Sequence, residues 1–317
     1  MKYAHVIQFA VERPWAITIE KLAAIQVFLA LKAEGQDVDP DEVRAMADAA
    51  RSTDARSAGS IAVVPLYGVL SQRGGLTDTS EPLTSTARFA ALVQQAVNDP
   101  GVRAVVIDVD SPGGEVYGTA EAADAVAQAV QTGGKPIVAV ANSLAASAAY
   151  WIASQAEELI VTPGGQVGSI GVYAMHQDVS QAAEQAGVKT TLVSAGKYKT
   201  EANPWQPLSE EAHAAIEQSV QDYYGQFLAA VARGRGTTSA AVRDGYGQGR
   251  VLTAKRALAA GMVDRVATLD QTISRLASGS YRKPGRAQAE VAAQVVDRAD
   301  SEAVPDWRRR RLRLNGR

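Results

Sequence analysis

No cysteine occurs anywhere in the 317-residue sequence. That absence excludes disulfide scaffolds, thiolate metal sites and cysteine nucleophiles, and it fits a reducing compartment. Histidine is nearly as scarce. His5, His176 and His213 are the only three, and no two stand at the spacing of a shared metal ion, so no metal cofactor is expected. Charge of one sign is also lacking: 32 lysines and arginines oppose 34 aspartates and glutamates, a net charge of −2. That balance argues against nucleic acid as the main partner. Long apolar runs are missing too. The stretch LAAIQVFLAL, Leu22 to Leu31, is about half the length a membrane span requires, and its apolar positions fit one face of a helix. Glu12 and Arg13 interrupt the region where a secretory signal would need apolar residues. The expectation is a soluble cytoplasmic protein without a membrane partner.

Hydrophobic residues make up 46% of the sequence and charged residues 21%, enough to bury a substantial core. Residues 1 to about 57 read as helical: ITIEKLAAIQVFLALKAEG ends on a glycine suited to a C-cap, and DPDEVRAMADAARS restarts with an acidic first turn. TDARSAGS (53–60) is small and polar, as in a linker. IAVVPLYGVL (61–70), RAVVIDVD (103–110) and KPIVAVAN (135–142) read as buried strands, and ELIVT (158–162) and TTLVSAG (190–196) as shorter ones. Between them lie helical patterns, STARFAALVQQAVN stopped by Asp99-Pro100-Gly101, TAEAADAVAQAVQTGG and SQAAEQAG. Regular alternation of strand and helix implies an α/β fold with a largely parallel sheet. From Leu208 to about Ala277 the pattern becomes mainly helical, opened by a Ser-x-x cap and closed by Gly234 and Gly236. The last forty or so residues lose periodicity and end in WRRRRLRLNGR. The expected organisation is a helical N-terminal extension (1–58), an α/β domain (59–277) and a flexible basic tail (278–317).

Ligands of open α/β sheets collect beyond the carboxyl ends of the strands. Two such places stand out. Ser111-Pro112-Gly113-Gly114 follows the strand ending at Asp110, and its glycines would free backbone N–H groups to face a ligand. SLAASAAYWIAS (143–154) follows the strand ending near Asn142 and surrounds Ser147 with small residues. Such crowding serves either tight packing or close approach of another backbone to a nucleophilic hydroxyl. At the start of a helix, Ser147 would have the N–H of Ala148 beside the reacting carbonyl. A serine nucleophile needs a base, either histidine or a neutral lysine. His176 with Asp178 or Asp110 is one candidate, and Lys197 or Lys199 another. At an ordinary pKa of ~10.4, only about one lysine in 2,500 is neutral at pH 7, so the base would have to sit away from carboxylates and from water. GGQVGSIG (164–171) lacks the Gly-Lys-Ser/Thr ending of a phosphate loop, so no nucleotide cofactor is read from it.

The motifs DSPGG, AASAAYW, VGSIGV (167–172), GKYKT (196–200) and GRVLTAKRALAAGMVD (249–264) occur in the order and spacing of the signal peptide peptidase A (protease IV) family. The resemblance covers about Ile61 to Asp270. NSLAASAAYW with GKYKTEANPW is most similar to the soluble branch of that family encoded by phages and prophages. The resemblance implies a Clp/crotonase-like core and a serine endopeptidase with a Ser–Lys dyad that cleaves scaffold or capsid proteins during phage head maturation. It implies Ser147 as nucleophile, Lys199 as base, Ser169 as the hydroxyl orienting that lysine, and Gly114 and Ala148 as oxyanion-hole donors. It also implies a homo-oligomer, in some members of the family with dyad residues from neighbouring subunits. The family more often has two glycines after the nucleophile, where this sequence has Ala148 and Ala149. A main-chain donor survives that change, while the pocket loses a little room. Other functions stay open at this stage: a cytoplasmic peptidase of signal peptides or oligopeptides, a crotonase-fold acyl-CoA enzyme that would not need Ser147, and a non-catalytic assembly protein. The arginine tail could bind scaffold, nucleic acid or an acidic shell surface.

Overall fold

A computed structural model describes residues 14–19, 21–22, 56–58, 60–76 and 82–283. The expected helices between residues 23 and 55 and the arginine tail lie outside the described residues. Four strands form the centre of the sheet: β3 (Ile61–Ser71), β6 (Ala104–Glu115), β7 (Ile137–Ala146) and β8 (Glu158–Val161) are joined by parallel ladders in that order. Their sequences are almost continuously apolar because both faces are covered. In β6 and β7 alternate residues divide between two cores, as period two demands. Val105, Ile107, Val109, Ile137 and Ala139 face one, and Ala104, Val106, Val138 and Val140 face the other.

The first core is covered by α1 (Thr86–Asn98) and α2 (Thr119–Thr132). Ser85 caps α1 by accepting from the Arg88 N–H, and Phe89, Val93, Ala96 and Val97 form its buried stripe. The second core is closed by Leu276 of α8 (Leu269–Ala277). Glu158 is fully buried between Arg265 (2.9 Å) and Arg275 (2.5 Å), and Arg235 pairs with Asp264 at 2.7 Å. The two Glu158 pairs tie the last third of the domain to the sheet, and Asp264 does so by accepting the Leu159 N–H at 2.7 Å. Among the described residues no helix is long and apolar enough to cross a membrane.

Four sequence expectations are corrected. Ser111–Gly114 is not a loop: β6 continues through it to Glu115, with an irregularity between Val109 and Ser111. Trp15–Ile17, expected in a helix, forms the strand β1 against the far end of β6. Arg56–Ala58, expected in a linker, forms β2 against β3. The β-branched run TTLVSAG forms no strand, and its residues are exposed, Val193 at 94%. Strand propensity is realised only against an available edge. β6 and β3 offer edges to β1 and β2, whereas no described strand runs beside residues 190–196.

Candidate active site

Two parallel strands part company at the site. β6 and β7 stay paired as far as Ser111 opposite Ala145. On its other edge β7 pairs with β9 (Gln166–Gly168) from Leu144 to Ala146, where it ends. Ser147 then turns the chain with φ 53° and ψ −120° into a six-residue helix, α3 (Ala148–Ala153). A positive φ at a non-glycine residue costs about 1–3 kcal/mol and persists only where its surroundings enforce it. Here the Ser147 N–H donates to Gly168 O at 2.7 Å, and the Trp151 N–H donates to Ser147 O at 2.9 Å. The helix is fixed in turn. Tyr150 Oη donates to Met262 O at 2.9 Å, and Trp151 stacks on Phe227 with ring centres 4.6 Å apart. Ala145, Ala146, Ala148 and Ala149 are all fully buried, so the small residues around Ser147 are packed without spare room. Ser147 itself is 1% exposed, and among the described residues its Oγ has no hydrogen-bond partner.

The glycine pair of β6 lies against this turn. Ser111 Oγ donates to Gly68 O at 2.6 Å and accepts the Gly113 N–H at 3.1 Å, which fixes the strand just before the pair. A methyl group on Gly113 would stand 2.2 Å from Ala16 O and 2.9 Å from Ser147 Cβ, and one on Gly114 would stand 1.9 Å from Leu70 O. Neither position admits a side chain, because backbone approaches from both directions. On the other side of Ser147, the N–H of Ala148 opens α3 and has no partner inside the helix. With only six residues, that helix contributes a single well-placed N–H more than a macrodipole.

Ser169 follows β9 with φ 55°, half-buried, and its N–H donates to Arg250 O at 2.9 Å. Because Ser147 N–H is held on Gly168, the structure brings Ser147 and the Gly168–Ser169 turn together. It does not bring Lys199 into hydrogen-bond contact with either serine. Lys199 is exposed, in a segment (186–208) without strand or helix, and its N–H donates to Gly196 O at 3.2 Å. Lys197 differs. Its Nζ lies 2.7 Å from Tyr198 Oη and 2.9 Å from Glu211 Oε1, and the hydrogen bond to Tyr198, then Glu211, raises its pKa.

His176 is half-buried with Nε2 3.2 Å from Asn203 O. Asp178 is exposed and accepts the Ser180 N–H at 2.9 Å; the hydrogen bonds from Ser180 hold its carboxyl below the usual range. Asp110 lies within β6, and buried Asp108 accepts from Tyr67 Oη. Of the glycines of GGQVGSIG, Gly168 serves the sheet: a methyl on it would meet Arg250 O at 2.6 Å. Sequence reasoning missed β1 and its neighbour Tyr173. The available signal was Pro14, which disfavours helix in the residue before it, followed by the β-branched Ile17-Thr18-Ile19.

Residues 129–281 match the model of peptidase family S49. That span encloses Ser147, Ala148, Ser169 and Lys199 and leaves Gly114 outside. The chain is 28% identical over 302 residues to the capsid assembly protease C of Escherichia phage lambda, covering 92% of this chain and 65% of the relative. It is 32% identical over 223 residues to the head-tail preconnector protein GP5 of Enterobacteria phage P21, covering 70% and 44% respectively. Against Protease 4 of Salmonella typhi it is 30% identical over 230 residues, covering 73% and 36%. The chain thus spans less than two thirds of each of these relatives.

Proposed function

Since the chain carries a peptidase family S49 domain, we propose that it is a serine endopeptidase on a Clp/crotonase-like core (59–277) with Ser147 and Lys199 as its dyad. One observation carries this reading above the others. Among the described residues, Ser147 Oγ is buried and without a hydrogen-bond partner, on a strained turn beside a glycine pair that admits no side chain. A structural serine in such a place would be expected to satisfy its hydroxyl. In the proposed reaction Lys199 takes the proton of Ser147 as Oγ attacks the scissile carbonyl. Gly114 and Ala148 N–H groups hold the oxyanion, the amine leaves with the proton, and Lys199 then activates the water that releases the acyl group. Ser169 orients the lysine amine. Lys197 is a poorer base because its contacts with Tyr198 and Glu211 favour the charged form.

The names of two relatives support a reading of the substrate class. Two carry phage names, a capsid assembly protease and a head-tail preconnector protein. The protein is proposed to cut scaffold or capsid proteins during phage head maturation. The base is proposed to reach Ser147 only in a homo-oligomer. Lys199 lies on an exposed segment that also carries Val188, Leu192 and Val193 to solvent, and a second copy of the chain would cover them.

The test is cleavage of an unfolded protein by wild type and by Ser147→Ala, Lys199→Ala and His176→Ala, read by mass spectrometry. The first two variants lose at least about 1,000-fold in rate, and the third keeps its activity. A dead His176→Ala beside an active Lys199→Ala replaces the dyad with a triad. Cleavage that persists in Ser147→Ala removes the nucleophile from the proposal.

A further inference from the structure

Where β7 leaves β6 to form the Ser147 turn, the Gly113–Glu115 edge of β6 is left without its former neighbour. That edge is filled by β1, antiparallel, with Trp15 opposite Glu115, Ala16 opposite Gly114 and Ile17 opposite Gly113. The other edge of β1 is held by Tyr173: the Trp15 N–H donates to Tyr173 O at 2.8 Å, and the Tyr173 N–H donates to Trp15 O at 3.1 Å. β1 is therefore an extended peptide between two backbone walls, the arrangement by which a groove binds a strand.

Its register is informative. The Thr18 N–H donates to Pro112 O, and the Val116 N–H donates to Pro14 O. Antiparallel ladders alternate bonded and unbonded pairs. Those two bonds therefore make Ala16 and Gly114 the pair that exchanges both of its hydrogen bonds. Ala16 O thus accepts from the N–H of Gly114, the donor assigned above to the oxyanion. The same oxygen crowds the side of Gly113 that Ser147 Cβ crowds. A carbonyl on an oxyanion donor and next to the nucleophile is in the position of a scissile carbonyl. Ala16 is 0% exposed, and Trp15 and Ile17 are buried with Val69 and Leu22.

We propose that Pro14–Thr18 is a built-in occupant of the peptide groove, bound in substrate register, which closes the site until the bond between Ala16 and Ile17 is cut. The inference rests on the peptidase reading of Ser147. Self-processing balances as ordinary hydrolysis. Ser147 Oγ bonds to the Ala16 carbonyl carbon, the carbon–nitrogen bond to Ile17 breaks, and the Ser147 proton passes through Lys199 to the Ile17 nitrogen. Water then converts the ester to the Ala16 carboxylate and restores the serine hydroxyl. In a chain whose Lys199 does not contact Ser147, the bond stays whole and the groove stays filled. The register also assigns specificity: a small residue at the scissile carbonyl, a large apolar residue before it and a β-branched one after it.

The test follows the full chain. Wild type is incubated with unfolded casein, and both proteins are read by mass spectrometry beside Ser147→Ala and Ala16→Arg. The expected result is a new terminus at Ile17 in wild type, absent in Ser147→Ala and reduced at least about tenfold in Ala16→Arg. Casein cleavage should lag in wild type until the Ile17 terminus appears. Hydrogen exchange on Ser147→Ala should show the Ala16, Thr18 and Val116 amides slowed by about 100-fold or more. If casein is cut in a Ser147-dependent way while the Ala16–Ile17 bond stays whole and those amides exchange freely, the inference is overturned and the peptidase reading stands. If neither bond nor casein is cut by any form, the peptidase reading fails and takes self-processing with it.

Discussion

Around Ser147, every residue from Ala145 to Ala153 is buried; around Lys199, every residue from 184 to 199 is exposed. The two halves of the proposed dyad are thus built by different means. The nucleophile is held by β7, by Gly168 and by a helix stacked on Phe227, so its geometry forms when the core forms. The lysine rides on an exposed segment that pairs with no strand among the described residues. Under the proposed function, such a division would let the chain fold with a finished nucleophile and gain its base only when a second copy covers the segment. A hydrolase that must stay quiet before assembly gains from that order of events.

The sharpest way to break the rigid side is to remove its stacking partner. Trp151→Ala should destabilise the fold by about 3–5 kcal/mol, seen in urea unfolding monitored by circular dichroism. Next comes Gly114→Ala. Its methyl would meet Leu70 O at 1.9 Å, so β6 must shift and carry the oxyanion donor with it. A fall in kcat/KM of about 100-fold is expected, and activity near wild type would remove Gly114 from the site. On the exposed side, the double variant Leu192→Asp/Val193→Asp should leave Tm within about 1 °C. In the same variant activity should fall at least about tenfold and in proportion to the oligomer lost, read by light scattering; unchanged assembly would dismiss the segment as its contact. Ser147→Gly and Ser147→Ala should both be inactive, yet the glycine variant should be more stable by about 1 kcal/mol, because it relaxes the positive φ. The smallest effect belongs to Lys197→Ala. Its pair with Glu211 is exposed, so both stability and kcat/KM should stay within about twofold of wild type. A large loss there would make Lys197 the base.

Elements whose causes are local were legible in the sequence. The apolar runs of β3, β6 and β7 mark strands covered on both faces, and Ser85 and Ser209 cap the helices they precede. Gly236 ends α5 (Glu210–Arg235) in the left-handed conformation, as its position implied. The crowding of alanines around Ser147 implies tight packing or close approach of a backbone, and those alanines are fully buried, while the positive φ of Ser147 was not legible. Elements whose causes lie far along the chain were not legible. Trp15–Ile17 is a strand only because β7 leaves an edge of β6 open about 100 residues later. TTLVSAG has the composition of a strand and lacks a partner among the described residues. For the site, the sequence marked Ser147, the glycine pair and Ser169 as neighbours in chemistry. It held no information on how far Lys199 stands from them in a single chain, since that depends on what packs against residues 186–208.

β1 belongs to the same molecule as the groove it fills, and that gives its occupancy an unusual concentration dependence. A tethered segment acts at an effective concentration on the order of millimolar, whatever the dilution of the protein. A free peptide has to compete against that local concentration for the Gly113–Glu115 edge. Diluting the protein does not uncover the edge, and adding more protein does not cover it further. Access is set by a chemical event within the chain, the fate of one peptide bond, so it changes once and does not revert.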